Sequence, residues 1–183
     1  MIFNKTPLEG AFTIEVTPFM DERGFFTRIF CENEFKDKGL NPAFVQVNHS
    51  GTVKTGSIRG MHMQMAPWGE TKLIKCIKGR IFDVIVDVRA TSPTFLKWFG
   101  AELSAENKKM MYVPKGFAHG FQTLEENSDI TYLVSQFYNK EHEFSLNYND
   151  PRVNIQWPLP LGMVSEKDNS APFLQNDFKG YIE

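Results

Sequence analysis

Ten short apolar or alternating runs, cut apart by turn-forming residues, restrict this chain to a fold built from strands. They fall at residues 12–17, 25–30, 44–47, 56–64, 72–77, 80–88, 95–102, 109–113, 116–124 and 130–134. Lys78-Gly79, Ser92-Pro93 and Glu126-Asn127-Ser128 punctuate them, and such clusters favour tight turns. Helical character is confined to residues 32–38, which stop at Gly39, and to the stretch after Pro160. Many short strands at fairly even spacing predict a sandwich or a barrel. The 17 phenylalanines suit that expectation, because large aromatics favour strands and build apolar faces. No linker, repeat or low-complexity tract divides the 183 residues, so 1–183 is expected to be a single domain.

Alternation along a strand sorts side chains onto two faces. In 80–88, Phe82, Val84, Val86 and Val88 share one face, and Ile81, Asp83, Ile85 and Asp87 the other. Lys72 shares a face with Ile74 and Cys76, His62 with Gly60 and Gln64, and Tyr132 with Ile130 and Val134. Each strand thus sets one or two polar groups on an otherwise apolar or small-residue face. A barrel interior with a ligand cavity has this pattern, whereas a solvated sheet shows longer polar rows.

Bulk properties exclude several classes. A net charge of -2 argues against a nucleic-acid partner. No apolar run reaches the length of a membrane span, and residues 1–10 do not read as a signal peptide. Cys31 and Cys76 make no disulfide framework. A soluble cytoplasmic protein is the expectation.

The chemistry concentrates in Arg59-Gly60-Met61-His62-Met63-Gln64, Lys72 and Pro114-Lys115-Gly116-Phe117-Ala118-His119. The spacing resembles a cupin metal site in which Gln64 stands at the second histidine and Lys72 at the glutamate. A protonated lysine repels a divalent cation and an amide is a poor ligand for soft metals, so no metal is expected. A histidine, a lysine and a second histidine suit proton abstraction beside a carbonyl and binding of an anion.

Seven segments in order resemble the dTDP-4-dehydrorhamnose 3,5-epimerase family, from about Leu8 to Pro172. They are Asp21-Glu22-Arg23-Gly24-Phe25-Phe26, Phe44-Val45-Gln46-Val47-Asn48, the Arg59–Gln64 motif, Phe82-Asp83-Val84-Ile85-Val86-Asp87-Val88-Arg89, residues 114–121, Asn149-Asp150-Pro151 and Ser165-Glu166-Lys167-Asp168. The resemblance implies an all-β cupin jelly-roll barrel with a few short peripheral helices. It also implies a homodimer whose N-terminal strands add to the partner's sheet. The implied reaction epimerises C3, C5 or both in a nucleotide-diphospho-4-keto sugar, either a 6-deoxyhexose or a heptose, without metal or organic cofactor.

The site residues follow from the same resemblance. A ketone's α-proton is weakly acidic, so a base and enolate stabilisation are both needed. His62 is the candidate base, with Asp168 or Asp83 orienting it. Lys72 faces the developing oxyanion, and Tyr132, made more acidic by a nearby cation, reprotonates the other face. Arg23, Arg59, His119 and Lys167 resemble ligands for the diphosphate or sugar, and Gln46 and Asn48 resemble contacts to the nucleoside. Glu143 is similar to a further substrate contact, and Tyr138 to an aromatic stacking on the nucleobase. Arg28 stands where the family generally carries an acid, and Met63 where it has an aromatic. The nucleobase, whether dTDP, GDP or CDP, stays open at this point. A 3,4-ketoisomerase, a non-catalytic nucleotide-sugar binding protein and a metal cupin are the alternatives.

Overall fold

The computed structural model describes residues 1–182. Its elements in order are β1 (Ile2–Lys5), β2 (Phe12–Glu15), β3 (Phe19–Asp21), β4 (Gly24–Phe26), α1 (Glu32–Lys36), β5 (Gln46–Thr52), β6 (Ile58–Gln64) and β7 (Lys72–Lys78). There follow β8 (Arg80–Asp87), β9 (Trp98–Ser104), β10 (Met110–Val113), β11 (Phe117–Thr123), β12 (Ser128–Val134), a 3-10 turn at Lys140–His142, β13 (Glu143–Ser145) and α2 (Glu166–Asn169).

The all-β expectation holds, but the barrel does not. The strands form a six-stranded sheet, β1-β2-β10-β7-β12-β5, a five-stranded sheet, β13-β6-β11-β8-β9, and the small hairpin β3-β4. Each large sheet keeps two edge strands, and among the described residues no ladder joins one sheet to the other. Apolar side chains, with a few side-chain hydrogen bonds, hold the layers together instead of a backbone ladder. Ile74, Cys76, Met111 and Ile130 from the six-stranded sheet meet Ile81, Ile85, Leu103, Phe117 and Phe121 from the five-stranded one in a shared apolar cluster.

Each sheet also has a covered outer face. Val84, Val86 and Val88 lie on the far side of β8, with Met61, Ala118, Leu146, Ile155 and Tyr181. The alternation of 80–88 therefore separates two cores as the sequence predicts. On the other layer, α1 sends Phe35 into Ile14, Leu73, Met110 and Tyr112. Phe35 meets Phe3, Phe30 and Tyr112 edge-on, with centroids 5.1 to 5.9 Å apart. Such geometry sets the electropositive ring edge against an electronegative face.

Partners, more than propensity, move the boundaries. The run at 44–47 becomes a strand beginning at Gln46 and continuing to Thr52, because β12 pairs with every residue of the polar stretch Asn48-His49-Ser50-Gly51. The run at 25–30 ends at Phe26, whose partner Phe19 is the last that β3 offers. Residues 95–102 yield a strand only from Trp98, facing Val86. The helix expected over 32–38 closes at Lys36, with Gly39 turning at φ +70°. The strands β1 and β13 carry no local signal and exist because β2 and β6 receive them.

Candidate active site

The two sheets contribute facing rows of polar groups at one end of the interior. β6, β11 and β13 carry His62, His119 and Glu143, with His119 opposite His62 and Glu143 opposite Gln64. β7, β12 and β5 carry Lys72, Tyr132, Asn48 and Gln46, with Tyr132 level with Ile74 on one side and Asn48 on the other. Between them lie adjoining cavities of about 260 and 360 Å³ that share His62, Lys72 and Tyr132. The period-two reading of the strands is what aims these groups inward.

Close approach of two glycines permits the side-by-side placement of the histidines. A Cβ on Gly60, which has φ +118°, would sit 2.6 Å from the Gly120 Cα and 2.8 Å from the His119 oxygen. The β11 register shifts between His119 and Phe121 at the same place. Such an irregularity re-aims side chains next to a site.

His62 Nε2 lies 2.6 Å from Asp168 Oδ1. The other Asp168 oxygen accepts the Gly60 N–H at 3.3 Å. The carboxylate is delivered by α2, whose N-cap Ser165 accepts the Asp168 N–H at 3.1 Å. Burial pushes the Asp168 carboxyl upward, but the bond and charge of His62, with Gly60 and Ser165, outweigh it and hold the group below the usual carboxylate range. An ionised Asp168 fixes the imidazole and leaves His62 Nδ1 without a protein partner among the described residues. A histidine so oriented is a competent general base.

Asp83, the rival orienting carboxylate, belongs to the other histidine. His119 Nε2 lies 2.7 Å from Asp83 Oδ1, and Asp83 is fully buried. Lys72 Nζ donates to the His62 carbonyl at 3.3 Å and lies 3.0 Å from Glu70 Oε1. The expectation that a nearby cation makes Tyr132 more acidic is overturned. Burial first, and the Glu70 charge second, push the phenol up against the smaller opposing pull of Arg59. Tyr132 therefore keeps its proton firmly.

The outer end is a relay of pairs. Gln46 accepts the Tyr138 N–H at 3.2 Å, the Tyr138 hydroxyl donates to Glu143 at 3.2 Å, and Lys167 donates to Glu143 at 2.5 Å. Burial pushes Glu143 up, yet Lys167, Tyr138 and His62 together hold its carboxyl low. Tyr138 is 62 % exposed, so its ring face is open. Arg59 is braced by Nε to Thr52 at 2.8 Å and Nη2 to the Gly51 carbonyl at 3.1 Å.

The cavities thus gather His62, Lys72, Tyr132, Asp168, Gln46, Asn48, Arg59, His119, Tyr138, Glu143 and Lys167. Arg23 is not among them. It sits at the tip of the β3–β4 hairpin, bonded to Asp21 at 2.6 Å. Arg28 lies 3.8 Å from Glu34 and also stands outside both cavities. Met63 lines the larger cavity while packing into the cluster behind β6. Sequence reasoning missed Glu70, which lines the larger cavity. Gly69-Glu70-Thr71 reads as a solvated loop, but its spacing of two from Lys72 was an available signal. Among the described residues no group of three or more His, Cys, Asp or Glu side chains is placed to hold a metal ion. No helix is long and apolar enough to cross a membrane.

Residues 5–176 match the family described as dTDP-4-dehydrorhamnose 3,5-epimerase. The chain is 42% identical over 176 residues to such an epimerase from Shigella flexneri, covering 95% of this chain and 97% of that protein. The crystal structure of an Elizabethkingia anophelis dTDP-4-dehydrorhamnose 3,5-epimerase superimposes with a TM-score of 0.92 at 44% identity, covering 97% of this chain and 98% of that one. A Legionella pneumophila dTDP-6-deoxy-D-glucose-3,5-epimerase, solved in complex with dTDP-4-keto-L-rhamnose, also gives 0.92, at 36% identity over 100% of this chain and 98% of that one.

Proposed function

The chain belongs to the dTDP-4-dehydrorhamnose 3,5-epimerase family, and from that premise we propose a mechanism in its own residues. It is an isomerase that epimerises a dTDP-linked 4-keto-6-deoxyhexose at C3 and C5. The observation that carries the mechanism is that a dyad-held histidine and a tyrosine reach one cavity from opposite sheets.

His62 Nδ1 takes the proton from the carbon next to the C4 ketone. The C–H electron pair moves into the ring and leaves an enolate with its charge on O4. Lys72 sits against that charge, worth most in a site that excludes water. Tyr132 gives its proton to the same carbon from the opposite face, which inverts the centre. His62 then carries one extra proton and Tyr132 lacks one, and exchange with solvent resets both. The raised Tyr132 pKa makes the phenol a weaker donor, but an enolate carbon is far more basic than a phenolate, so the transfer still runs downhill and the phenolate then recovers a proton readily.

Arg59, His119 and Lys167 hold the diphosphate and sugar, Gln46, Asn48 and Glu143 make further hydrogen bonds, and the exposed Tyr138 ring stacks on the base. We take residues 1–183 as one catalytic domain working in the cytoplasm. The β3–β4 hairpin exposes Phe19, Met20, Phe25 and Phe26 at 76, 72, 56 and 68 %. An apolar arm of that kind docks on a second copy, so the working form is a homodimer with Arg23 carried on the arm.

Incubation in D₂O with dTDP-4-keto-6-deoxyglucose tests the reading, followed by proton NMR. Deuterium at C3 and C5 is expected. Uptake at C3 alone would restrict the activity to one centre. A carbonyl displaced to C3 would make the protein a ketoisomerase.

A further inference from the structure

We propose that Glu70 is a positioning residue of this site: it aims the Lys72 ammonium and sets a negative charge in the cavity that Lys72 shares with Tyr132. The proposal deepens the epimerase reading and rests on it.

Glu70 precedes β7 and is nearly enclosed, its side chain 12 % exposed beside a Lys72 that is 9 % exposed. An ammonium has three donors at fixed tetrahedral angles. The His62 carbonyl accepts one at 3.3 Å, and Glu70 Oε1 stands 3.0 Å from the same nitrogen as an ion pair. The remaining donors are left for a ligand in the cavity that Lys72 lines. Without Glu70, the four-carbon stem of Lys72 would be anchored by one neutral carbonyl, and its head would be free to swing.

The second Glu70 oxygen accepts from Gln64 Nε2 at 3.4 Å. Gln64 is itself 2 % exposed and holds the next loop, donating to the Phe137 carbonyl at 3.2 Å and accepting the Asn139 N–H at 2.6 Å. Glu70 therefore ties the lysine to the loop that carries Tyr138. One carboxylate couples the oxyanion end of the cavity to the nucleotide end.

The charged neighbourhood of Tyr132 gives this carboxylate its electrostatic weight. Lys72 on β7, Arg59 and His62 on β6, His119 on β11, and Lys167 and Asp168 on α2 line one cavity with Tyr132; Glu70 and Glu143 line the other, which also holds Tyr132, and Asp83 on β8 stands behind His119. The cations Lys72, Arg59 and Lys167 suit a diphosphate but favour a phenolate. Glu70 acts against that and adds to the rise that burial already imposes on the phenol. The sign is fixed: removing the negative charge lets Tyr132 ionise at lower pH.

Glu70→Gln keeps the shape and removes the charge. In that variant kcat is expected to fall about tenfold, because the ammonium loses the ion pair that aims it. The alkaline limb of kcat/KM should move to lower pH, with dTDP binding kept or tightened. A purely structural role would not move the limb. Glu70→Asp retains the charge but retracts it, so kcat should fall while the limb stays near its wild-type place. It also carries the test if Glu70→Gln does not fold. A limb that does not move in Glu70→Gln, or one that moves equally in both variants, overturns the proposal. Wild-type deuterium uptake is recorded first in the same assay, and its absence would instead remove the epimerase reading.

Discussion

Two His–Asp pairs stand side by side in this molecule, and their differences divide the work of the site. His62–Asp168 and His119–Asp83 have nearly equal lengths, 2.6 and 2.7 Å, and their histidines are opposite each other on β6 and β11. His62 is 32 % exposed and His119 only 10 %. Asp83 comes from β8, in the same sheet as its histidine, whereas Asp168 comes from a four-residue helix 106 positions away. Asp168 uses both oxygens, but Asp83 Oδ2 is buried with no partner among the described residues. The first pair is an open base on a carboxylate whose two oxygens are both partnered, and the second is a rigid fixture of the sheet. Chemistry alone does not distinguish them; solvent access and the origin of the carboxylate do.

Substitutions break or sharpen that contrast. His62→Ala should lower kcat/KM by about a thousandfold, as loss of a general base does, and abolish deuterium uptake with the fold intact. Normal turnover would transfer the base role to His119. Asp168→Asn should cost about a hundredfold in kcat with little change in dTDP binding, since the amide can misorient the ring. An equal loss in Asp83→Asn would erase the asymmetry. His119→Asn should raise KM about tenfold and change kcat less, because His119 is assigned to binding. The smallest effect is on stability. The Asp168 carboxyl is held low in the folded protein, so its contribution is present above the ordinary carboxylate range. It is lost as pH falls through that lowered value. Denaturant midpoints of Asp168→Asn should therefore fall less between neutral and acid pH than those of the wild type.

The first pair was legible only as a pair of alternatives. The family resemblance offered Asp168 and the strand after Lys72 offered Asp83, and neither a motif nor a periodicity assigns a distance. The choice is made by Ser165 capping α2 and by Gly60 accepting no side chain, neither of which a pattern of apolar residues records. His62, Lys72 and Tyr132 were readable because each interrupts an apolar face. Glu70 was not, since its burial depends on Lys72 and Gln64 closing over it. The barrel failed for a related reason: strand count and spacing do not say whether edge strands meet. The hairpin bearing Arg23 carries its family motif plainly, yet one chain does not bring it to the cavity.

The absence of a ladder between the large sheets has a mechanical consequence. The gap from base to acid is crossed by no backbone ladder and is set by a gasket of Ile, Leu, Met and Phe together with side-chain bonds such as Lys72 Nζ to the His62 carbonyl. Such a joint behaves as a soft clamp, firm in shear where side chains interlock but compliant in thickness. Catalysis should therefore loosen before the sheets themselves melt, with mild denaturant or pressure widening the jaws while each jaw stays intact.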